Sequence, residues 1–105
     1  MTYRIRFHPA VTDDLTSIAE LIANYAGPEA AEWRLSEIEA VISSLAETPF
    51  KGSVRSEIAP GLRAIPAGRK VVIVFAVNEE VREVLVHVIS YAGSDWIARS
   101  TVRRR

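Results

Sequence analysis

The stretch from Gly61 to Ser90 does most to limit what this 105-residue chain can fold into. Three runs rich in β-branched and apolar residues, Leu62–Pro66, Lys70–Val77 and Val81–Ser90, follow one another closely. Ala67-Gly68 and Asn78-Glu79-Glu80 separate them with turn-forming residues. Short connections between strands lead to antiparallel neighbours, so the three runs read as a meander. Lys70 to Val77 is almost unbroken Val, Ile, Phe and Ala, the pattern of a central strand covered on both faces. In the last run, alternation puts Val84, Val86 and Val88 on one face and Leu85, His87 and Ile89 on the other.

The N-terminal half has a different period. Tyr3, Ile5 and Phe7 alternate with Arg4 and Arg6, which reads as a half-buried strand ended by Pro9. Val11, Leu15, Ile18, Ile22 and Tyr25 then recur at helical spacing, with Asp13, Asp14, Ser17 and Glu20 expected on the wet side. Gly27-Pro28 breaks this helix and opens a second one, running from Pro28 to about Ala46 with Ala31, Leu35, Ile38, Ile42 and Leu45 as its stripe. Trp33 and Val41 fall off that stripe. They either widen the buried face or form a separate exposed apolar strip. Residues 50–61 show no periodicity and read as a loop. The expected fold class is α+β: an N-terminal strand, an antiparallel helical hairpin, then a three-stranded antiparallel meander, in one domain over residues 1–105. Residues 97–105 read as a frayed basic tail.

Charge divides along the same line. The net charge is zero, yet residues 8–50 carry eight acids against the single base Arg34, and residues 51–105 carry ten bases against five acids. A basic strand half points to an acidic partner. The chain has no cysteine, which excludes disulfides and thiolate metal sites, and a reducing cytoplasm is expected. Two histidines without a carboxylate constellation give no metal signal, and no cofactor is expected.

Several short motifs stand in a definite order: Phe7-His8-Pro9-Ala10, Asp14-Leu15, Gly27-Pro28-Glu29-Ala30-Ala31, Leu45-Ala46-Glu47-Thr48-Pro49 with Gly52 after it, Gly61-Leu62-Arg63, and Tyr91-Ala92-Gly93-Ser94-Asp95. In this order and spacing, over residues 3–96, the chain resembles the RelE/ParE toxins of bacterial type II toxin–antitoxin (plasmid stabilisation) modules, and more closely the ParE-like branch. The resemblance implies a toxin neutralised by a cognate antitoxin protein. It implies one of two activities: ParE-like toxins inhibit DNA gyrase without catalysis, and RelE-like toxins cut mRNA on the ribosome.

Cleavage at a 2′-OH needs a base, an acid and cations for the phosphorane charge. Arg63 fits the first basic position of a RelE-like site, but Ile65 and Val72 fill positions a nuclease would make cationic. The gyrase reading is therefore preferred, with the C-terminal segment from Tyr91 as the toxic determinant implied by the resemblance. Expected partner-binding residues are Trp33, Val41, Arg63, Arg69, Arg82, Trp96, Arg99 and Arg103. The nuclease alternative rests on Arg63, Arg69, Lys70, His87 and Tyr91, with the ribosome and mRNA as targets.

Overall fold

A computed structural model describes residues 2–92 and 96–103. The chain forms β1 (Arg4–Phe7), α1 (Val11–Ala26), α2 (Pro28–Ser44), β2 (Ser53–Val54), β3 (Leu62–Pro66), β4 (Val71–Asn78), β5 (Glu83–Tyr91) and α3 (Trp96–Arg103). The strands make one sheet in the order β1-β5-β4-β3-β2. β3, β4 and β5 are the antiparallel meander, and β4 is the central strand. β1 joins the far edge parallel to β5, with Arg4 opposite Glu83 and Phe7 opposite Val86. The sheet is therefore mixed. A parallel neighbour requires a long crossover, and the helical hairpin lies on that crossover.

The loop expected at 50–61 contains a short edge strand, β2, antiparallel to β3. Gly52 makes its approach feasible: φ is +81°, and a Cβ there would lie 2.5 Å from the Ala64 carbonyl oxygen. Two residues are too few to show an alternating pattern, so periodicity could not reveal β2.

One large core fills the space between the sheet and the hairpin. Ile18 and Ile22 of α1 and Ala31, Ile38 and Ile42 of α2 pack with Val71, Ile73 and Phe75 of β4 and with Val84, Val86 and Ile89 of β5. Ile38, Ile73 and Phe75 are fully buried. The opposite face of the sheet carries a small second cluster of Leu62, Val74 and Val88, which Ile58 and Ala59 of the preceding turn cover. Both faces of β4 are thus apolar for different reasons.

β5 departs from simple alternation. Val74 pairs with Val88 and Phe75 with Val86, so His87 is an extra residue in a β-bulge. The bulge switches faces: Val84 and Val86 point to the hairpin, Val88 to the other side, and Ile89 to the hairpin again. The expected grouping of Val88 with Val84 and Val86 is corrected accordingly.

Two residues of α1 exchange places relative to expectation. Asp14 is buried at 5% exposure, and Tyr25 is 66% exposed. The buried stripe is Val11, Asp14, Ile18 and Ile22, at steps of three and four. At the C-terminus, the expected frayed tail is a helix as far as Arg103. No helix among the described residues is long and apolar enough to cross a membrane.

Candidate functional site

β1 accompanies β5 only as far as Val86, whose carbonyl accepts the His8 N–H at 2.9 Å. Past that point, two side chains take the place of a strand along this edge. Asp14 Oδ2 accepts the Ile89 N–H at 3.0 Å. Arg103 Nη1 donates to the His87 carbonyl at 2.7 Å. The two side chains also grip each other: Arg103 Nη1 and Nη2 lie 2.7 Å from Asp14 Oδ2 and Oδ1 respectively. The pair is nearly dry, with side-chain exposures of 13% and 4%. Bidentate arginine–carboxylate pairs are geometrically specific, and this one joins α1, the bulge of β5 and the last residue of α3. Asp14 pushes the Arg103 guanidinium pKa above its ordinary value, outweighing the opposing effect of burial. Ser100 is also fully buried, while Ile97 and Val102 are exposed. α3 is therefore docked on the body. Arg103, one of the expected partner-binding residues, is bonded here to Asp14 and to the His87 carbonyl.

A second feature lies where the hairpin meets the β3–β4 turn. A surface pocket of about 350 Å³ has Ile22, Ala26 and Ala30 as its apolar floor, Tyr25 and Tyr91 at its side, and Arg34, Arg69 and Lys70 around it. Gly68 and Lys70 take left-handed backbone angles, φ +78° and +65°, which curl the turn tightly. A Cβ at Gly68 would meet the Glu37 carboxylate at 2.6 Å, so α2 packs directly on this turn. Arg34 makes an ion pair with Glu37 at 3.3 Å and donates to the Arg69 carbonyl. Ala92 N–H donates to the Lys70 carbonyl at 2.8 Å, so the end of β5 is stitched to the same turn. The Tyr25 and Tyr91 hydroxyls are hydrogen-bonded. That bond, with smaller contributions from burial and from the Tyr25 charge, raises the Tyr91 pKa above its ordinary value.

The nuclease candidates are divided by this geometry. Arg69, Lys70 and Tyr91 come together in the pocket, joined by Arg34 and Tyr25, which the sequence did not single out. Arg63 lies elsewhere, donating to the Phe50 carbonyl at 2.9 Å with its guanidinium 5.2 Å from the Phe50 ring centre. His87 is buried in the bulge. Nor do Arg63, Ile65 and Val72 share one surface. Arg63 opposes Phe75 and Ile65 opposes Ile73 on the hairpin side, whereas Val72 opposes Pro66 on the other.

Among the partner-binding candidates, Val41 packs against the main core and so widens the buried face of α2. Trp33 is 65% exposed. Arg82 sits in the β4–β5 turn at φ +52°, its carbonyl accepting the Arg4 N–H at 2.9 Å. Trp96 and Arg99 belong to α3, and their side chains, like Asp95, Arg104 and Arg105, lie outside the described residues. No cluster of His, Asp and Glu among the described residues could hold a metal ion.

On the sheet face away from the hairpin, Ala64 and Pro66 of β3 oppose Val74 and Val72 of β4, which oppose Val88 and Ser90 of β5. A shallow hollow of about 240 Å³ lies at its β2 end, with Ser53 and Arg55 on its rim. Arg55 is ion-paired with Glu57 at 2.6 Å, and that hydrogen bond holds the Glu57 carboxyl below its ordinary pKa.

Residues 5–93 match the family model for the ParE toxin of the type II toxin–antitoxin system parDE. The fold is similar to that in a structure of the chromosomal ParDE toxin–antitoxin system from P. aeruginosa: TM-score 0.73, 21% identity, covering 86% of this chain and 96% of that one. It is also similar to a mutant of the E. coli toxin RelE in the free state: TM-score 0.69, 16% identity, covering 99% and 98%. The toxin–antitoxin complex RelBE2 from Mycobacterium tuberculosis gives a TM-score of 0.59 at 16% identity, covering 87% and 99%. A search of curated proteins finds no match.

Proposed function

Because the chain belongs to the ParE toxin family of type II toxin–antitoxin systems, we propose that it arrests growth by binding DNA gyrase without cutting RNA, and that a cognate antitoxin protein neutralises it. One observation carries the choice between activities: the sheet face away from the hairpin is aliphatic and partly covered by Ile58 and Ala59. Ala64, Pro66, Val72, Val74 and Val88 occupy it, and Arg55 at the rim is held by Glu57. Phosphoryl transfer from a 2′-OH needs cations aimed at the developing charge and a base near the hydroxyl. His87, the side chain most suited to proton transfer, is buried.

The gyrase-facing element in this reading is α3. Among its described side chains Ile97 and Val102 are exposed, and apolar side chains projecting from a helix serve as anchors in a partner's groove. The Asp14–Arg103 pair positions it. The alternative, a ribosome-dependent mRNA endonuclease, draws on the convergence of Arg69, Lys70 and Tyr91 in one pocket. The test is to add the purified protein to a translating extract and map transcript ends. The gyrase reading expects an unchanged pattern of ends. Codon-positioned cuts that vanish with Tyr91→Phe would establish the alternative.

A further inference from the structure

The pocket between the helical hairpin and the β3–β4 turn combines features that the gyrase reading leaves unused. Its volume of about 350 Å³ is that of a small-molecule site. Ile22, Ala26 and Ala30 make an aliphatic floor, where two alanines spare the space a longer side chain would fill. Arg34 is committed to Glu37 and to the Arg69 carbonyl, so it stiffens the turn. Arg69 and Lys70 follow one another in that turn and both line the pocket. They are exposed, and among the described residues neither makes an ion pair. The Arg69 charge reaches the Tyr91 phenol, where it opposes the rise in pKa caused by Tyr25. The two phenols carry two hydroxyl hydrogens, and their mutual bond uses one, so the other remains to donate.

We propose that this pocket binds a small phosphate monoester carrying a flat ring, of the nucleoside monophosphate class, with the phosphate on Arg69 and Lys70 and the ring over the Ala26–Ala30 floor. The inference does not rest on the gyrase reading, and its failure leaves that reading standing. The lining selects the ligand. Two adjacent unpaired cations match a dianion better than a singly charged carboxylate, and a phosphate monoester carries a charge of about −1.5 to −2 at pH 7. Arginine can give two parallel N–H bonds to phosphate oxygens, and lysine adds a point charge. The floor has no hydrogen-bonding side chain, so it takes the apolar face of a ring, while the remaining tyrosine hydrogen serves a polar atom at the ring's side. A polynucleotide matches less well. Its internal phosphodiesters carry one charge each, and Arg69 and Lys70 sit on a single turn rather than along a track. The left-handed residues Gly68 and Lys70 and the bond from Arg34 hold this turn in shape, which limits the ordering cost on binding.

The experiment titrates the full chain with adenosine 5′-monophosphate in a calorimeter, and separately with adenosine, with inorganic phosphate and with a short RNA lacking terminal phosphates. Three variants are compared: Arg69→Gln with Lys70→Gln, Ala26→Phe to fill the floor, and Lys51→Gln as a charge removal outside the pocket. Circular dichroism melts establish that each is folded. The proposal expects one monophosphate per chain with Kd below about 1 mM, and binding about tenfold or more weaker for adenosine and for inorganic phosphate. It expects affinity to rise as pH increases through about 6, where the monoester takes its second charge. The double variant should bind about tenfold or more weakly, Ala26→Phe should also bind more weakly, and Lys51→Gln should bind as the wild type does. No saturable binding of the monophosphate, or wild-type affinity in both pocket variants, would overturn the proposal. Inorganic phosphate binding as tightly as the monophosphate would mean that the ring is not recognised and would overturn it too. So would the RNA displacing the monophosphate at equal concentration of chains, which would make this a polyanion surface.

Discussion

Replacing Arg103 by Met isolates what the C-terminal anchor contributes. The substitution keeps most of the apolar stem and removes the guanidinium. Asp14, 5% exposed, then loses its two bonds of 2.7 Å to Arg103, and the His87 carbonyl loses its bond of the same length. Breaking a buried pair from one side costs about 3–5 kcal/mol. Here the cost has a ceiling. Arg103 ends α3, and undocking that helix lets water reach Asp14, so the lower part of the range, about 3 kcal/mol, is expected. For a domain of about 100 residues this is a fall of roughly 10–20 °C in Tm. Urea denaturation of the purified chain, followed by circular dichroism, supplies the free energy. Asp14→Leu alone should cost a comparable amount. Combining it with Arg103→Met should cost clearly less than the sum, because both substitutions remove the same interaction. Single substitutions that each cost under about 0.5 kcal/mol, or that simply add, would refute the claim that this pair holds α3 to the body.

Ile38 is fully buried between the hairpin and the sheet, and Ile38→Ala should cost about 2–5 kcal/mol; an unmoved denaturation midpoint would contradict the core described here. Tyr91 has a raised pKa in the folded protein, so its bond with Tyr25 contributes stability that is fully present below about pH 10 and is lost as pH rises through the folded value. In an ultraviolet titration, Tyr25→Phe should bring the Tyr91 phenol back toward ordinary ionisation; an unchanged Tyr91 midpoint would refute the link.

The meander and the helix stripes were legible because they are long and periodic. Lys70 to Val77 could only be a covered central strand, and Ile18, Ile22, Ile38 and Ile42 sit where helical spacing puts them. What escaped depends on single residues. The bulge at His87 carries no signature of its own, since valines flank it on both sides and either register reads as a strand. Asp14 did leave a signal: it lies three residues after Val11 and four before Ile18, a carboxylate on an apolar stripe. Such a residue needs a buried partner, but the chain has thirteen Lys and Arg residues, and nothing local selects Arg103 among them. The pocket escaped for the same reason. Tyr25, Arg34, Arg69 and Tyr91 come from four separate elements, brought together by the turn at Gly68. Arg63 and Val72 looked like neighbours on one surface because strand order alone does not fix register; the pairing of Val72 with Pro66 puts them on opposite faces.

The central claim is that the protein acts by occupying gyrase through α3. Its most direct test is the supercoiling of relaxed plasmid by purified gyrase and ATP, titrated with the protein alone. The account predicts inhibition by the wild-type chain and recovery of supercoiling when Ile97 and Val102 are both replaced by Glu on a protein that still melts as the wild type does. Undiminished supercoiling in the presence of excess wild-type protein would contradict it.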